Sequence, residues 1–275
     1  MPEIKHAIII GTMKGATSSM CSYLRGHPNI APSIMIEPEY FSGEIKKSAQ
    51  GKAYEDLFTI DASVHKITLE DAPSYSKFPK EKDVAKKIFE YGVKPKFIYL
   101  LRNPFDRIES HYNFMKSKSN NSQNWNLDIG SSHLINLSNY YLQLKQYEPY
   151  FEKKDFLLID FGRIKQNPEA VLKEIYRFLD LPETYFPEEY YVENKLRQKS
   201  SLERSVRKNF GKLIPLIPRF IRRNMENHLR KKNPVEKKRL TEEQKKSIHQ
   251  ELKPNMLKLQ KEYDFDVSKW GFVLS

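Results

Sequence analysis

The segment from Ile8 to Ser18, I-I-I-G-T-M-K-G-A-T-S, constrains the fold more than any other. The apolar run from His6 to Ile10 reads as a buried strand. It breaks at Gly11, and a second glycine follows at Gly15. A helix pattern then starts, with Thr17 or Ser18 as the expected cap and Met20, Tyr23 and Leu24 as its apolar face. Strand, tight glycine loop and helix N-terminus form a phosphate-binding geometry, because free backbone N–H groups and the helix dipole both point at the anion. Lys14 adds a full positive charge within the loop. The chain has only ten glycines, so two of them four residues apart carry weight. The plainer reading is an ordinary strand-to-helix turn that uses glycine for its backbone freedom.

The loop is not a Walker A motif, G-x-x-x-x-G-K-[ST], in which lysine follows the second glycine. Here Lys14 precedes Gly15. Lysine is a point-charge donor, so where the loop starts it decides what it reaches. Lys14, with the Thr17 and Ser18 hydroxyls beside it, is placed to address the 5′ side of a bound nucleotide.

The 275 residues include 39% hydrophobic and 12% aromatic side chains, enough to build a core. No run approaches the length of a membrane-spanning helix, and the first residues hold no signal-peptide core. A single cysteine, Cys21, excludes an intramolecular disulfide and a cysteine-cluster metal site; it reads as a small buried residue of the first helix. A cytoplasmic location is the default expectation. The formal charge of +12 is concentrated: Ser200 to Leu240 holds thirteen Lys or Arg against three Glu, a net of +10. Such a block suits a polyanion, an acidic substrate or peripheral contact with an anionic membrane, or else it is a solvated helical face. Nucleic acid is not an expected partner.

Phe97 to Leu101 is a second continuous apolar run and reads as a central strand of a parallel sheet. Phe156 to Ile159 gives a third strand and Ile67 to Leu69 a short fourth. Helices are expected over Asp83 to Tyr91, ended by Gly92, and after Asn167-Pro168, where Val171, Leu172, Ile175, Phe178 and Leu179 keep a 3.6-residue period. Leu134 to Phe151 reads as helical and rich in tyrosine, and Asn113 to Ser132 as a polar loop over a site. Basic helices are expected between Ser205 and Arg230. Thr241-Glu242-Glu243-Gln244 fits a capping box that opens a C-terminal helix, which Pro254 kinks or restarts. Alternating strands and helices argue for an α/β fold: a central parallel sheet flanked by helices, with a helical C-terminal part. No linker or internal repeat divides residues 1–275, so one domain is the expectation, with the basic segment 200–240 inside it.

The run Phe97 to Leu101 leads into R-N-P-F-D-R-I-E-S-H-Y, Arg102 to Tyr112. Asn103 can cap a helix whose first residue is Pro104. Arg102 then stands at the carboxyl end of a strand, as Lys14 does, and Ser110 lies about two turns into the helix. Ligands of open α/β sheets bind outside the carboxyl ends of strands. If the two strands are neighbours, one ligand with anionic groups at two places could span both loops.

With both anion loops in this order, the chain resembles the PAPS-dependent sulfotransferases, especially their heparan-sulfate-like and bacterial carbohydrate branch. PAPS is 3′-phosphoadenosine 5′-phosphosulfate; its desulfated product is PAP. I-E-P-E-Y-F at Ile36 to Phe41, E-D-A-P-S-Y at Glu70 to Tyr75 and R-F-L-D-L-P at Arg177 to Pro182 add to the resemblance. It spans roughly Ile8 to Pro182 and returns weakly at the C-terminal helix and Trp270.

The resemblance implies a P-loop-like sulfotransferase fold and sulfuryl transfer from PAPS to a hydroxyl of a carbohydrate, glycolipid or small molecule. It implies that Lys14, Gly15, Ala16, Thr17 and Ser18 hold the 5′-phosphosulfate, and Arg102 and Ser110 the 3′-phosphate. Asn194, Lys195, Arg197 and Lys199 are candidates for a late loop closing over the adenine; Lys195 and Arg197 are carried as binding residues. Lys14 and Glu37 are the implied catalytic pair, with Glu39 the less favoured base. No metal is expected. His111 reads as an acid–base group or as a structural neighbour of the 3′-phosphate. The chain departs from its relatives at Ile36 and Asp71, where many have lysine, and at Glu39, where many have histidine. Two other functions compete: a phosphate-loop kinase or NTPase, for which Asp160 offers only a loose magnesium ligand, and a non-enzymatic polyanion-binding module.

Overall fold

Five parallel strands run in the order β2-β3-β1-β4-β5 in the computed structural model, which describes residues 4–118, 127–190 and 237–273. The strands are β1 (Lys5–Gly11), β2 (Ile30–Pro32), β3 (Ile67–Asp71), β4 (Pro95–Leu101) and β5 (Phe156–Asp160). The strands expected from the apolar runs are all present. β2 is an addition, a three-residue edge strand too short for a periodicity to register.

β1 lies between β3 and β4, with Ile9 opposite both Asp71 and Ile98. The sheet separates two cores. Ala7 and Ile9 of β1, with Ile98 and Leu100 of β4, join the core under α1 (Thr17–Leu24) and the later helix Pro168–Phe178. Ile8 and Ile10, with Phe97, Tyr99 and Leu101, join the other core. Alternation across the pleat thus buries every residue from Ala7 to Gly11, and Ile8, Ile9 and Ile10 are fully buried. Burying one such side chain contributes about 1.5–3 kcal/mol, which is why the strand reads as an unbroken apolar run.

The helices after α1 are α2 (Val84–Tyr91), α3 (Pro104–Lys118), α4 (Ser132–Asn136), α5 (Tyr140–Leu144), α6 (Phe161–Gln166), α7 (Pro168–Phe178) and α8 (Glu242–Tyr263). Gly92 ends α2 with φ of 91°. Asn167 caps α7 by accepting from the Ala170 N–H at 3.0 Å. The capping box of α8 is complete: Thr241 Oγ1 accepts from the Gln244 N–H at 3.2 Å, and Gln244 Oε1 accepts from the Thr241 N–H at 3.0 Å. α8 continues through Pro254 without ending there. Cys21 is buried.

Three expectations need correction. Residues 134–151 are helical only in part: the Asn139 side chain accepts from the Leu142 N–H at 3.2 Å and starts α5 afresh after α4, and α5 ends at Leu144. The polar stretch from Asn113 is helical as far as Lys118, and Asn113 is buried, bonded to the Glu109 carbonyl and to the backbone of Lys238. The N-cap of α1 is Ala16 in the left-handed region (φ 71°), not Thr17 or Ser18. The expected basic helices of 205–230 lie outside the described residues, as do Asn194, Lys195, Arg197 and Lys199. No helix among the described residues is long and apolar enough to cross a membrane.

Candidate active site

The loop after β1 is held from beneath by its neighbour strand. The Thr12 N–H donates to the Leu100 carbonyl at 2.8 Å, and the Gly15 N–H donates to the Thr12 carbonyl at 2.7 Å. Gly15 sits so close to this backbone that a Cβ would lie 2.8 Å from both the Leu100 and Thr12 carbonyl oxygens. Glycine is required there by close approach. Lys14 (φ 75°) and Ala16 (φ 71°) both take left-handed backbone without being glycine. Such conformations cost of order 1 kcal/mol each and concentrate at functional sites. The Lys14 ammonium lies 4.2 Å from the centre of the Phe114 ring on α3. Thr17 is buried and Ser18 half-buried at the start of α1.

Arg102 follows β4 directly. Because β4 pairs with β1, its guanidinium reaches the loop: Nη1 donates to the Lys14 carbonyl at 3.1 Å. The group stacks 4.8 Å from the Phe161 ring, and its Nε is buried with no hydrogen-bond partner among the described residues. Tyr140 donates its hydroxyl to the Arg102 carbonyl, fixing the corner. Ser110 is half-buried on α3 beyond it. The described end of the basic segment packs on the same helix: the Leu240 N–H donates to Glu109 at 3.1 Å, and Arg239 pairs with Glu109. Neither Glu109 nor Asn113 stands out in the sequence, because their partners lie some 125 to 131 positions away.

Behind the loop lies a residue that the motif spacing does not single out. Arg107, five positions after Arg102 and on the inner face of α3, is 1% exposed. Its Nε donates to Thr12 Oγ1 at 2.9 Å, Nη1 to Ser138 Oγ at 3.0 Å and Nη2 to His111 Nδ1 at 3.3 Å. A guanidinium has only donors, so Nδ1 of His111 must be the acceptor and its proton must sit on Nε2. Burial, with the Arg107 charge beside it, pushes His111 down to about 2. The imidazole is neutral at physiological pH and is a buried partner of Arg107.

A second group of candidate residues comes from the loop after β2 and the end of β3. Glu37 (φ 48°) and Glu39 (φ 56°) both take left-handed backbone on either side of Pro38. The turn is tied by the Lys46 N–H to the Pro38 carbonyl at 3.0 Å and the Ser42 N–H to the Glu39 carbonyl at 3.1 Å. Glu37 is half-buried. Glu39 is buried and accepts from the Ser74 N–H at 3.1 Å; burial raises its carboxyl to about 8, against the pull of Lys77 and of Ser74. It therefore holds a proton at neutral pH. Glu70 accepts from the hydroxyls of Tyr54 at 3.0 Å and Tyr75 at 2.9 Å, and burial lifts it to about 7. Asp71 is buried with both oxygens unpartnered among the described residues, and burial followed by the charges of Glu37, Glu39 and Glu70 drives it well above the usual carboxylate range. Glu44, despite partial burial, is held down to about 2 by hydrogen bonds from Lys77, Lys80 and Ser74.

Among the described residues no cluster of His, Cys, Asp or Glu is arranged to hold a metal ion. Asp160 is committed elsewhere: it caps α6 by accepting from the Gly162 and Arg163 N–H groups and accepts from Trp270 Nε1 at 3.0 Å.

This architecture is that of an α/β protein of the sulfotransferase fold. A sulfotransferase from Alicyclobacillus acidocaldarius superposes with a TM-score of 0.65 at 16% identity, covering 98% of this chain and 99% of that one. The chain belongs to the sulfotransferase domain family, whose model matches residues 72–260. That match takes in the Arg102 corner and starts after the Lys14 loop. Human heparan sulfate glucosamine 3-O-sulfotransferase 3B1 is 25% identical over 247 residues, 83% of this chain and 61% of the relative. The bifunctional heparan sulfate N-deacetylase/N-sulfotransferase 1 of Caenorhabditis elegans is 23% identical over 80% of this chain and 28% of its own length. The chain thus spans about 61% of the length of the human relative.

Proposed function

We propose that this chain transfers a sulfuryl group from PAPS to a hydroxyl of a carbohydrate, glycolipid or small-molecule acceptor by in-line displacement. The observation that supports this most is the joining of the two anion loops, with Arg102 bonded to the Lys14 carbonyl at 3.1 Å. A donor that carries a phosphosulfate at one end and a 3′-phosphate at the other needs two adjacent cationic sites. The buried, unpartnered Nε of Arg102 and the tight backbone at Gly15 fit such an anion.

In the proposed step the acceptor oxygen attacks sulfur and the bridging oxygen departs on the 5′-phosphate of PAP. Lys14 and the N–H groups at the start of α1 stabilise the charge that grows on the leaving oxygen. The acceptor proton passes to the Glu37 carboxylate. Glu37 is the better base than Glu39, because Glu39 already holds a proton at neutral pH and faces the Ser74 amide. Among these acceptors a glycan is favoured by the names of the relatives, which include both O- and N-sulfotransferases of heparan sulfate.

A phosphate-loop NTPase is disfavoured by Lys14 preceding Gly15 and by the commitment of Asp160 to α6 and Trp270. Thermal melting with nucleotides tests the reading. PAP should raise the melting temperature and ATP with magnesium should not, and PAPS should support sulfate transfer to a hydroxylated acceptor. Stabilisation by ATP–magnesium alone would refute it.

A further inference from the structure

Arg107 is a fully buried cation whose hydrogen-bond partners are all neutral: Thr12, Ser138, His111 and the Leu134 carbonyl. The groups that act on its charge are Tyr140, Tyr99 and Arg102, and no carboxylate is among them. Arginine stays protonated in proteins even when burial opposes it. A charge taken out of water needs a counter-ion, and removing one usually costs a protein dearly. The chain supplies no such counter-ion among the described residues. It does place the guanidinium directly against Thr12, the first residue of the loop whose carbonyl holds Gly15. Glu39, Glu70 and Asp71 are not among the groups that act on its charge, and its partner His111 is neutral.

We infer that the counter-ion of Arg107 is the anionic donor itself, and that Arg107 is a positioning residue for the 5′ side of the nucleotide. It holds Thr12 and so the loop backbone, and its field reaches the phosphosulfate through the buried loop rather than by direct contact. The inference rests on the donor reading above. It has a consequence that a purely structural arginine would not have. The empty protein bears the cost of an uncompensated buried charge, and the bound anion relieves it.

The test is calorimetry and thermal melting on the full chain and on Arg107→Met and Arg107→Lys. Arg107→Met should melt no lower than wild type without ligand, while its affinity for both PAP and AMP falls by about tenfold or more. Arg107→Lys keeps the charge and should retain most of the affinity. PAP and AMP fall together because the 5′-phosphate is common to both. If Arg107→Met does not fold, Arg107→Gln, which can still donate to Thr12, replaces it in the comparison with lysine. A lower melting temperature with unchanged nucleotide affinity would overturn the inference, as would failure of both neutral variants to fold. Wild-type protein that binds no PAP would refute the donor reading; wild type that binds PAP no better than Arg107→Met would refute this inference alone.

Discussion

Arg102 Nη1 donates to the main-chain carbonyl of Lys14 at 3.1 Å, across 88 positions of sequence. The contact exists because β1 and β4 are neighbours, so the loops that leave their carboxyl ends meet. The Lys14 ammonium lies beside Phe114 on α3, and the proposed function gives the two cations different ends of the donor. Their division of labour leads to distinct outcomes for each substitution.

Lys14→Ala should cut turnover by about 10²–10³ while PAP affinity falls much less, since the lysine matters most as charge develops on the leaving oxygen. Single-turnover kinetics beside PAP titration separates the two effects. Turnover near that of wild type would remove Lys14 from the chemistry.

Glu37→Gln should lower turnover by about 10²–10⁴ and leave PAP affinity unchanged. The substitution keeps the size of the side chain and removes its basicity. If Glu39→Gln causes the loss and Glu37→Gln does not, the base is Glu39.

Glu39 should make stability depend on pH. Its folded value of about 8 lies above the ordinary 4.5, so between the two the folded protein binds a proton that the unfolded chain releases. Stability therefore falls as pH rises through that window, by up to about 1.4 kcal/mol per unit from this group, and levels off above it. Glu70 and Asp71 are shifted the same way and steepen the wild-type slope. Glu39→Gln can still accept from Ser74, so it should flatten that slope and be the more stable protein at alkaline pH. Urea midpoints at about pH 5.5 and about pH 8 report the difference. Parallel curves for the two proteins would show that Glu39 ionises normally.

Gly15→Ala drives a methyl group against the Leu100 and Thr12 carbonyl oxygens. The expected cost is about 1–3 kcal/mol of stability together with loss of PAP binding. Full retention of both, by melting and calorimetry, would mean that the loop is loosely held.

Much of this arrangement is legible in the sequence, and the reasons it stops are specific. β1 and β4 read as strands because both of their faces are buried in separate cores. The same apolar runs put Lys14 and Arg102 at strand ends, yet only strand order makes them neighbours. β2 is invisible in the pattern because three residues hold no period. The break between α4 and α5 is set by one side chain, Asn139, whose capping competes with a helical pattern that otherwise continues. Arg107 looks like a solvent-facing helix charge until Thr12 is seen beside it. Glu37 and Glu39 differ in burial and in the Ser74 amide that only Glu39 accepts from, which their spacing does not reveal.

The central claim is that the joined loops read a nucleotide with anions at both its 3′ and 5′ ends. Calorimetric titration of the wild-type protein with PAP and with AMP tests it most directly, because the two differ by the 3′-phosphate that Arg102 is proposed to hold. PAP should bind at least about tenfold more tightly, the ratio expected when one charge-assisted phosphate contact is gained. Equal affinity for the two nucleotides would contradict the account.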